Sequence, residues 1–211
     1  MNAIPNKPLE ILVMEGDGIG PEITAATLNV IAALDRAMTL GLTFERATIG
    51  FASLEKCGTT LTDDVVAQAL KADGIILGPV SHNDYPPVAQ GGINPSGALR
   101  KKLDLYANIR PARSRPGFPP RCGKPVDLVI VRENTEGFYA DRNMHLGPGE
   151  YMPTPDLALA TRKITREGST RIVETAFQLA SVRRKKVTVV HKRTYCACRT
   201  DCFWNARVTS P

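Results

Sequence analysis

Arg100-Lys-Lys-Leu-Asp-Leu-Tyr-Ala-Asn-Ile-Arg-Pro111 is the stretch around which the chain is organised. From Leu103 to Ile109 it alternates, with Leu103, Leu105, Ala107 and Ile109 on one side and Asp104, Tyr106 and Asn108 on the other. A period of two predicts a strand with one buried face. Pro111 has no N–H for a ladder and is expected to end that strand. Arg100 then stands at its entrance and Arg110 at its exit. Extended residues advance about 3.3 Å each, so the two guanidiniums converge only by leaning into one cleft at the rim. On spacing alone, two ordinary surface arginines are the simpler reading. What argues for a site is a third arginine, Arg132, at the end of another expected strand.

Around this stretch lie 211 residues, 43% hydrophobic and 23% charged, enough for one sizeable core or two smaller ones. No apolar run approaches the roughly 20 residues of a membrane span, and the first ten residues are too polar for a signal peptide, so a cytoplasmic protein is expected. The formal charge of +6 would suit a nucleic-acid partner, but Lys and Arg are scattered with few aromatics among them. Arginines gathered at a cleft for a small anionic substrate explain the charge equally, and no nucleic-acid or membrane partner is expected.

The chain alternates strand and helix. Ile11–Met14 reads as a buried strand leading into Gly16-Asp-Gly-Ile-Gly20-Pro21-Glu22, whose glycines permit a tight turn and whose proline suits a helix start. Ile23, Leu28, Val30, Ile31 and Leu34 supply the apolar side of that helix. The glycines do not follow the spacing of a dinucleotide fingerprint, and a plain strand-to-helix turn explains them as well. Phe44–Ile49 predicts a second strand, Thr62–Lys71 a helix capped by Thr62, and Gly74–Gly78 a third strand. This order predicts an α/β fold with a largely parallel sheet. Residues 78–97 hold four Gly and four Pro and read as one long functional loop. Beyond a connector to Pro125, Val126–Val131 predicts a buried strand delivering Arg132-Glu-Asn-Thr-Glu-Gly-Phe-Tyr139, polar residues at a strand end where α/β enzymes place chemistry. Leu157–Ile164 alternates, Thr165 starts a helix through about Val182, and Lys186–Val190 predicts a last strand ending at His191-Lys192.

Five ordered motifs carry a resemblance over residues 10–192. Glu15–Glu22, Leu99–Pro111, Val131–Tyr139, Arg162-Lys-Ile-Thr-Arg166 and His191-Lys192 resemble the isocitrate and isopropylmalate dehydrogenase family of metal-dependent β-decarboxylating dehydrogenases. The resemblance implies a non-Rossmann α/β fold, with a large nucleotide-binding domain here spanning residues 1–98 and a smaller substrate and dimerisation domain over 99–192. It further implies NAD or NADP, Mg2+ or Mn2+, a homodimer, and a small hydroxy-acid substrate. It makes Arg100, Arg110 and Arg132 carboxylate-binding residues, Tyr139 the acid, and Lys192 the catalytic lysine acting from the neighbouring subunit. The adenine-binding loop and the metal-binding aspartates are expected beyond this sequence.

The chemistry fits those residue types. Hydride transfer from a 2-hydroxy acid leaves a keto acid with a carboxylate beta to the new carbonyl, and losing carbon dioxide leaves an enolate that a divalent metal stabilises. Planar guanidiniums bind carboxylates bidentately and fix which one is expelled. A lysine can move the hydroxyl proton and a tyrosine can protonate the enolate carbon. A tyrosine at 139 also suits a core ring with a tethered hydroxyl, and His191 reads as structural. Ahead of Arg100, where isopropylmalate enzymes of the family place bulky leucines, stand Asn94, Ser96 and Gly97. Asn94 and Ser96 offer polar contacts instead of an apolar wall, which predicts isocitrate or homoisocitrate ahead of 3-isopropylmalate, with malate or tartrate third.

The residues after Lys192 depart from the family pattern. Read one base out of frame with permissible codons, Arg193–Ala206 spells Ala-Asn-Val-Leu-Arg-Met-Pro-Asp-Gly-Leu-Phe-Leu-Glu-Cys, the family's continuation. Residues 193–211 are therefore expected to be an out-of-frame tail, and the chain a truncated, inactive form of the enzyme; a non-catalytic remnant acting as an interaction element is the other reading. Cys196, Cys198 and Cys202 fall in this tail, so neither a zinc site nor a thiol pair is expected from them.

Overall fold

The computed structural model describes residues 8–137 and 149–190. It is built as two compact units that divide between Leu103 and Asp104. Helix residues around the expected 98/99 domain boundary belong to the first of these units.

The first unit holds a three-stranded parallel sheet in the order β2-β1-β3, from β1 (Leu9–Met14), β2 (Leu42–Arg46) and β3 (Gly74–Leu77). The central strand is the most apolar: Leu12, Val13 and Met14 are at most 1% exposed. A strand flanked on both sides and covered on both faces needs this near-continuous hydrophobic run. Leu12 and Met14 join Ile49, Leu61, Val65, Val66, Ala69 and Leu99 in the core, where each buried Leu or Met contributes about 1.5–3 kcal/mol.

Helix α1 (Gly20–Met38) connects β1 to β2, with Pro21 in its first turn and Thr39 closing it in the left-handed conformation at φ 52°. Its expected apolar side is only partly covered. Ile23, Val30 and Leu34 are exposed, and the more covered positions run through Thr24, Leu28, Ile31 and Asp35. The helix carries two apolar stripes, and hydrophobicity alone does not say which one meets the sheet. Helix α2 (Phe51–Cys57) was not anticipated, and α3 (Asp63–Lys71) starts as expected, with the Thr62 hydroxyl accepting the Val65 N–H at 3.3 Å.

The stretch 78–97 is not one loop. A single 3-10 turn forms at Val88–Gln90, and α4 begins at Pro95 and runs to Lys102. Asn94 caps it by accepting the Gly97 N–H at 3.2 Å, and Pro95 sits where a missing N–H is harmless. Arg100 is therefore in the last turn of a helix, not at the entrance of a strand. The alternation at Leu103–Tyr106 is likewise not strand: Asp104 takes φ 47° in a turn between the two units' elements.

In the second unit, β4 (Ala107–Arg113) pairs antiparallel with β5 (Asp127–Glu133), and β6 (Glu150–Thr154) with β7 (Leu157–Ala160). Pro111 does not end β4; it lies inside it opposite Val129. β4 pairs on one side only among the described residues, and a strand with an open edge tolerates a proline. Helix α5 (Arg166–Ser181) packs against β5 and is capped by Thr165. Asp127 at the start of β5 takes Arg183 at 2.7 Å and Arg184 at 2.9 Å, tying the chain after α5 to the strand. Lys186–Val190 forms no strand. Apolar residues make a ladder only where another strand supplies partners, and Val190 stays 91% exposed. No helix among the described residues is long and apolar enough to cross a membrane.

Candidate active site

In the first unit the candidate residues sit on α4 and at its N-cap. Ser96 and Arg100 are four apart, so they share one helix face, while Pro95 and Leu99, also four apart, are buried on another. The Asn94 side-chain oxygen is taken by the helix cap, which leaves its amide N–H groups as donors. Gly97 is buried against the core side.

Two anchors hold the segment leading into α4. Thr60, with 0% exposure, accepts the Ile93 N–H at 2.8 Å through its hydroxyl, which donates back to the Ile93 carbonyl; its own N–H donates to Gly91 O at 3.0 Å. Gly91 has φ 87°, and a Cβ there would lie 2.0 Å from the Gly58 carbonyl oxygen, so only glycine allows this approach. The second anchor is Asp17, at the turn after β1. Its carboxylate accepts the Phe51 N–H at 2.8 Å, the Ser81 N–H at 3.0 Å and the Tyr85 hydroxyl. The Tyr85 ring stands edge-on to Phe51 at 4.9 Å. Burial, then the adjoining Asp17 carboxylate, pushes the Tyr85 hydroxyl above its usual pKa. The glycine turn thus exists to place Asp17 between three segments: Gly16, at φ 77°, meets the Pro79 carbonyl where a Cβ would clash.

In the second unit the register of the β4–β5 pair decides the geometry. Asn108 faces Arg132 and Arg110 faces Ile130, so Arg110 and Arg132 lie on one face as diagonal neighbours. The Nε–H of Arg110 donates to Asn108 Oδ1 at 2.9 Å, and Arg132 Nη1 donates to Asn134 Oδ1 at 3.3 Å. Asn134, 7% exposed, is itself fixed: its Nδ2 donates to Leu105 O at 3.1 Å and its N–H to Tyr106 O at 2.9 Å.

The turn after β5 is braced by its own acids. Glu133 accepts the N–H and hydroxyl of Thr135 and the N–H of Glu136, and Glu136 accepts the N–H and hydroxyl of Thr165 at the start of α5. Arg171 on α5 donates to Asp104 at 2.6 Å and to Thr135 at 3.0 Å, with its guanidinium 4.6 Å over the Tyr106 ring. The structure therefore brings Asn94, Ser96 and Arg100 together on α4, and Arg110 and Arg132 together on β4–β5. Tyr139 and Lys192, with His191, lie outside the described residues.

Sequence reasoning missed Asp17, Thr60, Asn108, Asn134 and Arg171 as organisers. For Asn108 a signal existed, because an asparagine two residues before Arg110 on one strand must share its face. Asp17 gave none, since its partners are 34 to 68 residues away.

The family model described as isocitrate/isopropylmalate dehydrogenase matches residues 10–210. The chain belongs to the isocitrate/isopropylmalate dehydrogenase family. It is 39% identical over 188 residues to the 3-isopropylmalate dehydrogenase of Methanothermobacter thermautotrophicus, covering 88% of this chain and 50% of that protein. Identity to the isocitrate/homoisocitrate dehydrogenase of Thermus thermophilus is 38% over 184 residues, with coverages of 86% and 50%. The crystal structure of isocitrate dehydrogenase from Methylococcus capsulatus superposes with a TM-score of 0.74 at 35% identity, covering 93% of this chain and 55% of that one. The chain thus spans about half the length of the curated relatives it matches, and its α/β fold is that of the isocitrate/isopropylmalate dehydrogenases. A divalent metal, which family resemblance implies, needs several acidic or His/Cys ligands at one point. No such group of three or more is gathered among the described residues. Cys57 and Cys122 are exposed free thiols.

Proposed function

We propose that the protein encodes an NAD- or NADP-dependent oxidative decarboxylase of a 2-hydroxy acid carrying a third carboxylate, isocitrate or homoisocitrate. It acts in the cytoplasm as a homodimer, with Mg2+ or Mn2+ supplied to residues outside this sequence. In this reading residues 1–98 contribute to nucleotide binding and 99–192 to substrate binding and dimerisation. Arg100, Arg110 and Arg132 take carboxylates, Asn94 and Ser96 select the substrate's side group, Tyr139 protonates the enolate carbon, and Lys192 moves the hydroxyl proton.

The observation that carries this reading is the pairing of Arg110 and Arg132 on one face of β4–β5. Two guanidiniums held as diagonal neighbours suit a substrate with more than one carboxylate. Support for the third carboxylate comes from α4, where Ser96 shares a face with Arg100. A hydroxyl and amide donors favour an anion over an alkyl group.

A second reading, 3-isopropylmalate, is favoured by the 39% relative that carries that name. Against it stands the absence of a bulky apolar side chain among Asn94, Ser96 and Gly97. Burying an isopropyl group would contribute on the order of 2 kcal/mol, and these residues offer nothing to bury it against. The deciding experiment compares specificity constants for isocitrate, homoisocitrate, 3-isopropylmalate and malate, with nicotinamide cofactor and magnesium, on the protein with the reading frame restored after Lys192. Isocitrate or homoisocitrate is expected to win; a clear preference for 3-isopropylmalate sinks the reading.

A further inference from the structure

We propose that Asn108 and Asn134 are positioning residues, whose side-chain oxygens hold the guanidiniums of Arg110 and Arg132 as one preset carboxylate-binding surface. The inference rests on the proposed role of these arginines and adds what sets their orientation.

A free arginine side chain samples many rotamers, so an exposed guanidinium is not preorganised unless something holds it. Arg110 is exposed on a strand that pairs on one side only among the described residues. Its single Nε–H is taken by Asn108 Oδ1 at 2.9 Å. This bond fixes the plane of the fork and leaves the Nη1/Nη2 end as the edge that can meet a carboxylate bidentately. The donor and acceptor are two apart on one strand, so they share a face and the bond needs no contribution from elsewhere.

Arg132 is held differently. Its Nη1 donates to Asn134 Oδ1, and Asn134 cannot swing away because its Nδ2 and backbone N–H are both bonded to the turn before β4. Leu105 and Tyr106, which accept those bonds, lie just before β4, three and two residues ahead of Asn108. The two asparagines therefore brace both guanidiniums from the same end of one hairpin. An asparagine suits this task better than an aspartate: it accepts from the guanidinium without neutralising the charge that attracts the substrate.

The test uses the protein with the reading frame restored after Lys192 and varies Asn108, whose side chain has no other bond among the described residues. Asn108→Leu keeps the size and removes the acceptor, while Asn108→Asp keeps the acceptor. First, hydrogen exchange of the Arg110 Nε–H is followed by NMR: it is expected to be slow in the parent and in Asn108→Asp and to speed up in Asn108→Leu. Second, isocitrate with magnesium is titrated into each protein: Asn108→Leu should bind about tenfold more weakly, the value of one hydrogen bond to a charged group. Unchanged exchange in a folded Asn108→Leu overturns the brace while leaving the role of the arginines standing. Faster exchange with unchanged affinity also overturns it. If the parent and an Arg132→Lys variant bind isocitrate alike, it is the role of the arginines that fails, and the brace as a substrate device fails with it.

Discussion

Asp17→Ala is the perturbation that should reveal most about how the first unit is held. The carboxylate accepts two backbone N–H groups, from Phe51 and Ser81, and the Tyr85 hydroxyl. A hydrogen bond to a charged acceptor contributes about 1.5–3 kcal/mol, but Phe51 is exposed and Ser81 half-buried, so water replaces part of what is lost. The three share one acceptor and do not add, so we take about 3 kcal/mol for the set. That is roughly a hundredfold in the opening equilibrium of the segment from Pro79 to Tyr85. The assay is amide hydrogen exchange at Ser81 and Phe51, read beside exchange at the central-strand residues Leu12 and Val13. Asp17→Ala should accelerate the first pair about a hundredfold and leave the second pair nearly unchanged. Tyr85→Phe should have a smaller effect, and one that depends on pH. The Tyr85 hydroxyl titrates above its ordinary value because of burial and Asp17. Its contribution is therefore complete below about pH 10 and is lost as pH rises through the folded-state value. If Ser81 and Phe51 exchange at parent rates in Asp17→Ala, the carboxylate is not what holds these segments.

Other outcomes follow from single contacts. Arg132→Lys in the frame-restored enzyme keeps the charge and loses the fork, so transition-state binding should weaken by roughly 2–4 kcal/mol, read as the specificity constant; a value near the parent's refutes the carboxylate role. Gly91→Ala forces a side chain into a left-handed backbone 2.0 Å from the Gly58 carbonyl oxygen, and should destabilise the first unit by about 2–3 kcal/mol in urea unfolding; a loss below about 1 kcal/mol would show that the loop gives way. The Asp127 carboxyl is held below its ordinary value, chiefly by its hydrogen bond from Arg183 and also by Arg184. A depressed pKa means its contribution is present above the unfolded value and lost as pH falls through the folded one. The melting temperature of the parent should therefore drop more steeply below pH 4 than that of Asp127→Asn, and parallel acid limbs would refute the link.

The fold was legible where pattern and capping agree. Ile11–Met14, Thr62–Lys71 and Thr165–Val182 are read correctly because an apolar run or a threonine cap leaves one solution. The reading fails at Leu103–Tyr106, where alternation is real but Asp104 takes a positive φ and turns the chain. Alternation reports which side chains are apolar, not whether a partner strand is present. The same lesson applies at Lys186–Val190, a β-branched run with no ladder, and inversely at Pro111, where a strand continues through a proline because its edge is open.

The site shows why residue types are easier to read than positions. Arginine carries chemistry that few other side chains can supply, so Arg100, Arg110 and Arg132 stand out in the sequence before their positions are known. Whether Arg100 belongs to a helix or a strand is decided by Asn94 capping α4, a bond between residues three apart, and by Thr60 pinning Ile93 from 33 residues away. The first bond is legible in Asn94-Pro-Ser-Gly97, where a cap residue followed by proline marks a helix start. The second could not be seen, because a buried threonine looks like any other until the chain has folded over it. Asn108 and Asn134 fall between these cases. Each is two residues from an arginine and reads as an ordinary polar strand residue. Only the pairing of β4 with β5 in this register makes them neighbours of one surface; a slip by one residue would send both arginines to opposite faces. The register is thus the physical quantity on which the candidate site depends, and along β5 the half-buried Val129 and Val131, alternating with exposed Leu128 and Ile130, distinguish one face from the other.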